Sequence, residues 1–176
     1  QIALDLMTSN VDFFAGGGLK FFTDREDKRN LLKEMKKVGY NLNTAELKNR
    51  SYKIDEKYGY ILAENEMPKV AERGNFLSEA SQMALEYLSQ SDSGFFMMIE
   101  ASQIDWGGHQ NDADYVISET IDFDQCIGMV LDHAEKIGNT LVIVTADHET
   151  GGFTLAANTK LTPLNGKYEV IEPSFS

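Results

Sequence analysis

A chain of 176 residues has room for one domain with a real core, and 42% apolar against 25% charged residues is the balance of a globular protein. Its longest apolar runs fall well short of the length a bilayer span needs, and a formal net charge of −12 argues against nucleic acid or an anionic membrane as partner. The acidity is local: residues 1–74 carry 13 basic and 12 acidic side chains, whereas 75–176 carry 3 and 16 and so net −13.

Residues 1–11 show neither a basic n-region nor a sustained apolar stretch, so no signal peptide is visible and the start reads as a cut. The apolar run 11–15 entering Gly16, Gly17 and Gly18 predicts a buried strand followed by a loop. A tight turn fits that loop better than a phosphate cradle, because no Lys-Ser/Thr pair follows and the GxGxxG spacing is missing. Residues 29–38 form an amphipathic helix closed by Gly39, and 40–42 can return as a strand; strand, helix, strand is an α/β signal.

The stretch 43–74 is polar, irregular and insert-like, with a short helix expected near 44–49, a strand at 58–63 and a break at Pro68. From Asn75, apolar positions recur at helical spacing as far as Leu88 and stop before the Ser-Asp-Ser-Gly turn at 91–94. The runs 95–99 and 141–144 both read as central strands buried on two faces. Between them, 112–137 predicts a long crossover helix with an apolar stripe that includes Ile121, Leu131 and Ile137. Asp112, Asp114, Asp122 and Asp124 are assigned to helix-start charge and a solvated face. The single Cys126 excludes an intrachain disulfide and falls in the apolar helical pattern as a core residue, while His133 reads as a surface residue. The expected architecture is α/β, a mainly parallel sheet flanked by helices, incomplete. It forms one partial domain over 1–176, with a β-helix-β unit at 94–152 and an unassigned tail at 156–176.

The chemistry lies after the two apolar runs. Glu100, Asp105 and His109 follow the first, in IEASQIDWGGHQND, and Asp147 and His148 follow the second, in VTADHETGG. Parallel strands would bring both groups to one sheet edge, where α/β folds place their sites. Carboxylate with imidazole suits zinc, and carboxylate with water suits magnesium. Either string alone also reads as strand-end caps and turn formers; the two together point to a metal. Gly107, Gly108, Gly151 and Gly152 are expected to let the backbone bend around the cluster.

These strings resemble the metal-binding motifs of alkaline phosphatases. Glu100, Ile104-Asp105, His109 and the run from Thr145 to Gly152 carry the resemblance, which continues through DFFAGGGLKFF at 12–22, the R-x-D-x-x-N-L-L string at 25–32 and MPKVAERG at 67–74. The resemblance implies that Asp105 and His109 ligate a first zinc, Asp147 and His148 a second, and Glu100 a magnesium. It further implies an enzyme that hydrolyses phosphate monoesters through a phosphoserine, in a periplasmic or secreted setting, with room for a homodimer in the intact parent.

The family's Asp-Ser-Ala nucleophile motif does not occur here, its phosphate-binding arginine has no counterpart, and no histidine follows His148 to complete the first zinc site. The chain is therefore expected to be an internal fragment, inactive alone. The alternatives are a non-catalytic domain that binds metal or packs on a partner, and a sulfatase or phosphodiesterase relative sharing the sheet and the Asp-His string.

Overall fold

Alternation of apolar side chains along three short segments builds the sheet in the computed structural model, which describes residues 1–48 and 51–153. Strands β1 (Phe13–Gly16), β2 (Tyr40–Asn43) and β3 (Lys57–Ile61) lie in the order β1-β3-β2 and all run parallel. Phe13 stands opposite Tyr58 and Tyr40 opposite Lys57, so the register puts successive side chains on opposite faces. Phe14, Leu42 and Ile61 face helices α1 (Ile2–Thr8), α2 (Lys20–Thr23) and α3 (Leu31–Lys37), where Ala3, Phe22, Leu31 and Met35 complete one core. Phe13, Tyr58 and Tyr60 face the other way, onto Met83 and Tyr87 of α5 (Phe76–Leu88). This is the expected sheet with helices on both faces.

The second face is an aromatic cluster whose polar ends are satisfied. Tyr52 meets Tyr58 edge-on at 4.8 Å and Tyr58 meets Tyr87 at 5.3 Å. The Tyr87 hydroxyl donates to the Glu56 carbonyl at 2.7 Å, and burial pushes that phenol up to about 12. Gly59 is required between the faces, because a Cβ there would run into the Phe14 ring and the Leu42 side chain.

The glycine turn after β1 is a packing feature, as its sequence suggested. Leu19 and Lys20 donate backbone N–H groups to the carbonyls of Ala63 and Glu64, and Gly18 donates to Ala63 and Asn65. Those amides are spoken for, so they do not form an open anion cradle. Over 44–48 there is no helix; the Asn43 side chain accepts from Ala45 and Glu46 N–H and turns the chain instead. Asn49 lies outside the described residues.

Helix α7 (Ala113–Ile137) is capped by the Asp112 side chain, which accepts from Tyr115 N–H at 3.0 Å. It packs against α5 and against α6 (Gln103–His109). Its buried positions are Tyr115, Val116, Glu119, Asp122 and Cys126. The assignment of Asp122 to a solvated face is thereby corrected: it is only 5% exposed. The cause is Arg73, at the end of α4 (Val70–Arg73), whose guanidinium lies 2.7 Å from Glu119 and 2.6 Å from Asp122. Glu119 also accepts from Val70 N–H, so the chain before α4 crosses the helix at this point and turns a polar stripe inward. Ile121, Leu131 and Ile137, expected to be buried, are exposed. Cys126 is fully buried, and burial pushes its thiol up.

The two runs read as central strands are the larger correction. Residues 95–100 and 139–147 form no ladder, and no backbone hydrogen bond joins them to other described residues. Phe96 is 88% exposed and Leu141 83%. A strand is held by its neighbours, and among the described residues none pairs with these backbones, although Met97, Ile99 and Val142 are half-buried.

Candidate metal centre

Helix α6 carries the first ligand pair. Asp105 and His109 are one turn apart on the same face, with the Asp105 carboxylate 3.4 Å from His109 Nε2. The helix is fixed from beneath by Gln103, which is buried; its amide donates to the Met67 carbonyl at 2.8 Å and its Oε1 accepts from the Tyr115 hydroxyl. The glycines do different work from that expected. Gly107 and Gly108 lie inside α6 rather than at a bend: a Cβ on Gly107 would stand 3.0 Å from Val116, and one on Gly108 would stand 2.6 Å from the Thr150 carbonyl oxygen. Their lack of side chains lets α7 and the 150–151 turn press onto the helix. Gly151 and Gly152, with φ of 79° and 68°, do form the expected bend.

The second pair sits on the run that lacks a ladder. The Asp147 carboxylate is 3.3 Å from His148 Nε2 and also accepts from His148 backbone N–H at 3.0 Å. Both side chains are open to solvent, Asp147 at 88% and His148 at 59%. The imidazole is nonetheless oriented, because Nδ1 lies 3.1 Å from the Glu149 carbonyl. That hydrogen bond first, and the Asp147 charge second, hold the His148 pKa above its ordinary 6.5, with the more distant Asp105 adding to them.

A single side chain joins the pairs. Thr150 Oγ1 donates to Asp105 at 2.6 Å and stands 3.1 Å from His148 Nδ1, linking positions 45 apart in sequence. Glu100 is exposed and hydrogen-bonds to none of the other four. Among the described residues no three His, Cys, Asp or Glu side chains converge closely enough to hold an ion. The donor types fit a divalent metal all the same: each pair offers one carboxylate and one imidazole at the same end of the molecule. Arg73, Gln103 and Thr150, which brace this end, have no distinctive spacing in the sequence. Only the helical interval from Asp105 to His109 could have revealed α6.

The family model described as alkaline phosphatase matches residues 1–170. Alkaline phosphatase 4 of Bacillus subtilis is 40% identical over 151 residues, covering 84% of this chain and 32% of the relative. The solved alkaline phosphatase of the Antarctic bacterium TAB5 is 50% identical, with a TM-score of 0.88, over 99% of this chain and 52% of its own. A variant of that enzyme has been solved with Mg bound in the M3 site. The chain thus spans about a third of the length of its curated relatives and about half of that solved structure. With a match running from its first residue through the Asp-His string, this chain belongs to the alkaline phosphatase family.

Proposed function

We propose that this chain supplies part of the metal site of an enzyme that hydrolyses phosphate monoesters with two zinc ions and one magnesium. The observation that carries the reading is the junction of Asp105 and His148 through Thr150, within a chain of the alkaline phosphatase family. Asp105 and His109 would hold one zinc, Asp147 and His148 the other, and Glu100 the magnesium. Magnesium as one of the ions is supported by the Mg reported in the TAB5 variant, while Glu100 as its ligand rests on the sequence resemblance. The chemistry such ions supply when bound is positive charge beside a phosphoryl group. This chain's part is to present the carboxylates and imidazoles from a braced helix and an adjoining loop.

The nucleophile, the phosphate-binding arginine and a further histidine would come from elsewhere in the whole protein, since the sequence shows none of the motifs that carry them. A periplasmic or secreted setting and a homodimer in the whole enzyme belong to the same proposal, resting on family membership. Among the described residues no helix is long and apolar enough to cross a membrane.

Calorimetric zinc titration of the 176-residue chain tests the assignment. Weak uptake is expected, abolished by His109→Ala and by Asp147→Ala, because a partial site has no spare ligand. Isotherms unchanged by both substitutions would overturn it. With p-nitrophenyl phosphate at alkaline pH, zinc and magnesium present, the chain alone should show no turnover; hydrolysis at an intact enzyme's rate would mean that Ser102 or Thr150 serves as nucleophile. The second reading, a non-catalytic metal-binding or packing domain, draws on the absence of a three-donor cluster among the described residues. It would be favoured if the whole protein also failed to hydrolyse the ester.

A further inference from the structure

Thr150 stands where the two ligand pairs meet, and its hydroxyl has two different jobs. Its one hydrogen is committed to Asp105, 2.6 Å away, since a carboxylate oxygen can only accept. Toward His148 Nδ1, at 3.1 Å, Oγ1 therefore offers a lone pair, and that contact needs a hydrogen on Nδ1. The Glu149 carbonyl, also 3.1 Å from Nδ1, makes the same demand, because a carbonyl cannot donate. Two acceptors on one ring nitrogen select the Nδ1–H tautomer and leave the lone pair on Nε2. In the neutral ring that lone pair faces the Asp147 carboxylate at 3.3 Å, an approach relieved when Nε2 takes up either the proton that Asp147 favours or a metal ion.

We propose that Thr150 is a positioning residue for both zinc sites: its hydroxyl orients the Asp105 carboxylate by donation and fixes the His148 tautomer by acceptance, tying the loop's ligand pair to the helix's. The inference rests on the metal assignment above. The rest of the side chain seats the hydroxyl. A Cβ on Gly108 would lie 3.1 Å from both Cβ and Cγ2 of Thr150, so the threonine methyl rests on the bare face of α6. Threonine thus combines a packing surface with one donor and one acceptor. Valine keeps the shape without the hydroxyl, and serine keeps the hydroxyl without the methyl.

The test is zinc titration of the 176-residue chain carrying Thr150→Val or Thr150→Ser, with melting followed in parallel. Thr150→Val should weaken zinc binding roughly 10- to 100-fold, the range for loss of a hydrogen bond to a metal ligand, with the melting midpoint unchanged. Thr150→Ser should recover binding to within about threefold. Nitrogen chemical shifts of the His148 ring give a second readout without metal: wild type should be mainly Nδ1–H when neutral, and Thr150→Val should shift the population toward Nε2–H. A valine isotherm equal to wild type, while His109→Ala and Asp147→Ala abolish binding, would overturn the role of Thr150 and leave the metal assignment standing. If those alanine variants bind as wild type does, the metal assignment itself fails. A wild-type ring that is mainly Nε2–H would overturn the tautomer argument alone.

Discussion

The two halves of the candidate centre are held in very different ways. Asp105 and His109 ride on a helix whose underside is locked by a buried glutamine to α7 and to the Met67 carbonyl. Asp147 and His148 sit on a run that forms no ladder among the described residues, and Thr150 and the glycine contact bring them to the helix. The difference shows that ligand geometry here is inherited from whatever packs behind the ligand. Buried polar contacts organise one pair in advance, while the other depends on a two-residue turn.

Amide hydrogen exchange should display the contrast most strongly. Residues 95–100 and 141–147 form no ladder among the described residues, so their amides should exchange almost as in an unfolded chain. Those of β3, bonded on both sides, should exchange only through global opening, slower by on the order of a thousandfold or more. Equal protection in both regions would erase the comparison.

Next in size is the brace itself. Arg73→Met would leave Glu119 and Asp122 buried without their cation, and should destabilise the chain by about 3–5 kcal/mol in denaturant unfolding. A loss below about 1 kcal/mol would mean that water already reaches those carboxylates, and that α6 and α7 are less firmly joined to the 67–73 segment than the helix half requires.

These features differ in how well the sequence announces them. Strands β1, β2 and β3, with α3, α5 and α7, were legible because their apolar spacing reports faces that this same chain buries. The runs 95–99 and 141–144 misled for the complementary reason: their composition states what a strand would need around it, not whether a described neighbour supplies it. Helix α6 was hidden because QIDWGGH has two glycines and few apolar residues; its helix is completed by packing on α7 and by Gln103. Asp122 could not be told from Asp124, since its partner Arg73 comes from 49 residues away. The five proposed ligands were legible as residue types in strings; the Thr150 junction between two of them needed coordinates.

A smaller effect separates the halves without unfolding either. Gly108→Ala suits the helix, where alanine is favoured over glycine by roughly 1 kcal/mol, but its methyl would strike the Thr150 carbonyl oxygen. The frame should remain as stable as wild type or gain slightly, while the turn lifts and zinc binding weakens by about tenfold. Unchanged zinc binding with a bound-state Thr150–Asp105 contact would show that the loop reaches the helix by another route.

The smallest expected effect lies in the titration of His148 in the metal-free chain. Its folded pKa is raised above 6.5 by the Glu149 carbonyl and then by the Asp147 charge, so the protonated ring favours the folded loop. The sign follows from linkage: this contribution is fully present below the unfolded value of 6.5 and is lost as pH rises through the higher folded pKa. Proton NMR of the ring should therefore give a midpoint above 6.5, and the Gly151 amide should move with it as the loop loosens on the alkaline side. Asp147→Asn removes the second-largest cause while leaving the Glu149 contact, so the midpoint should fall. Zinc would compete with the proton for Nε2, and its binding should weaken as pH falls through the same midpoint. A wild-type midpoint at or below 6.5 would show that the loop does not hold the imidazole against Glu149 and Asp147, and that the second ligand pair is unorganised even at its centre.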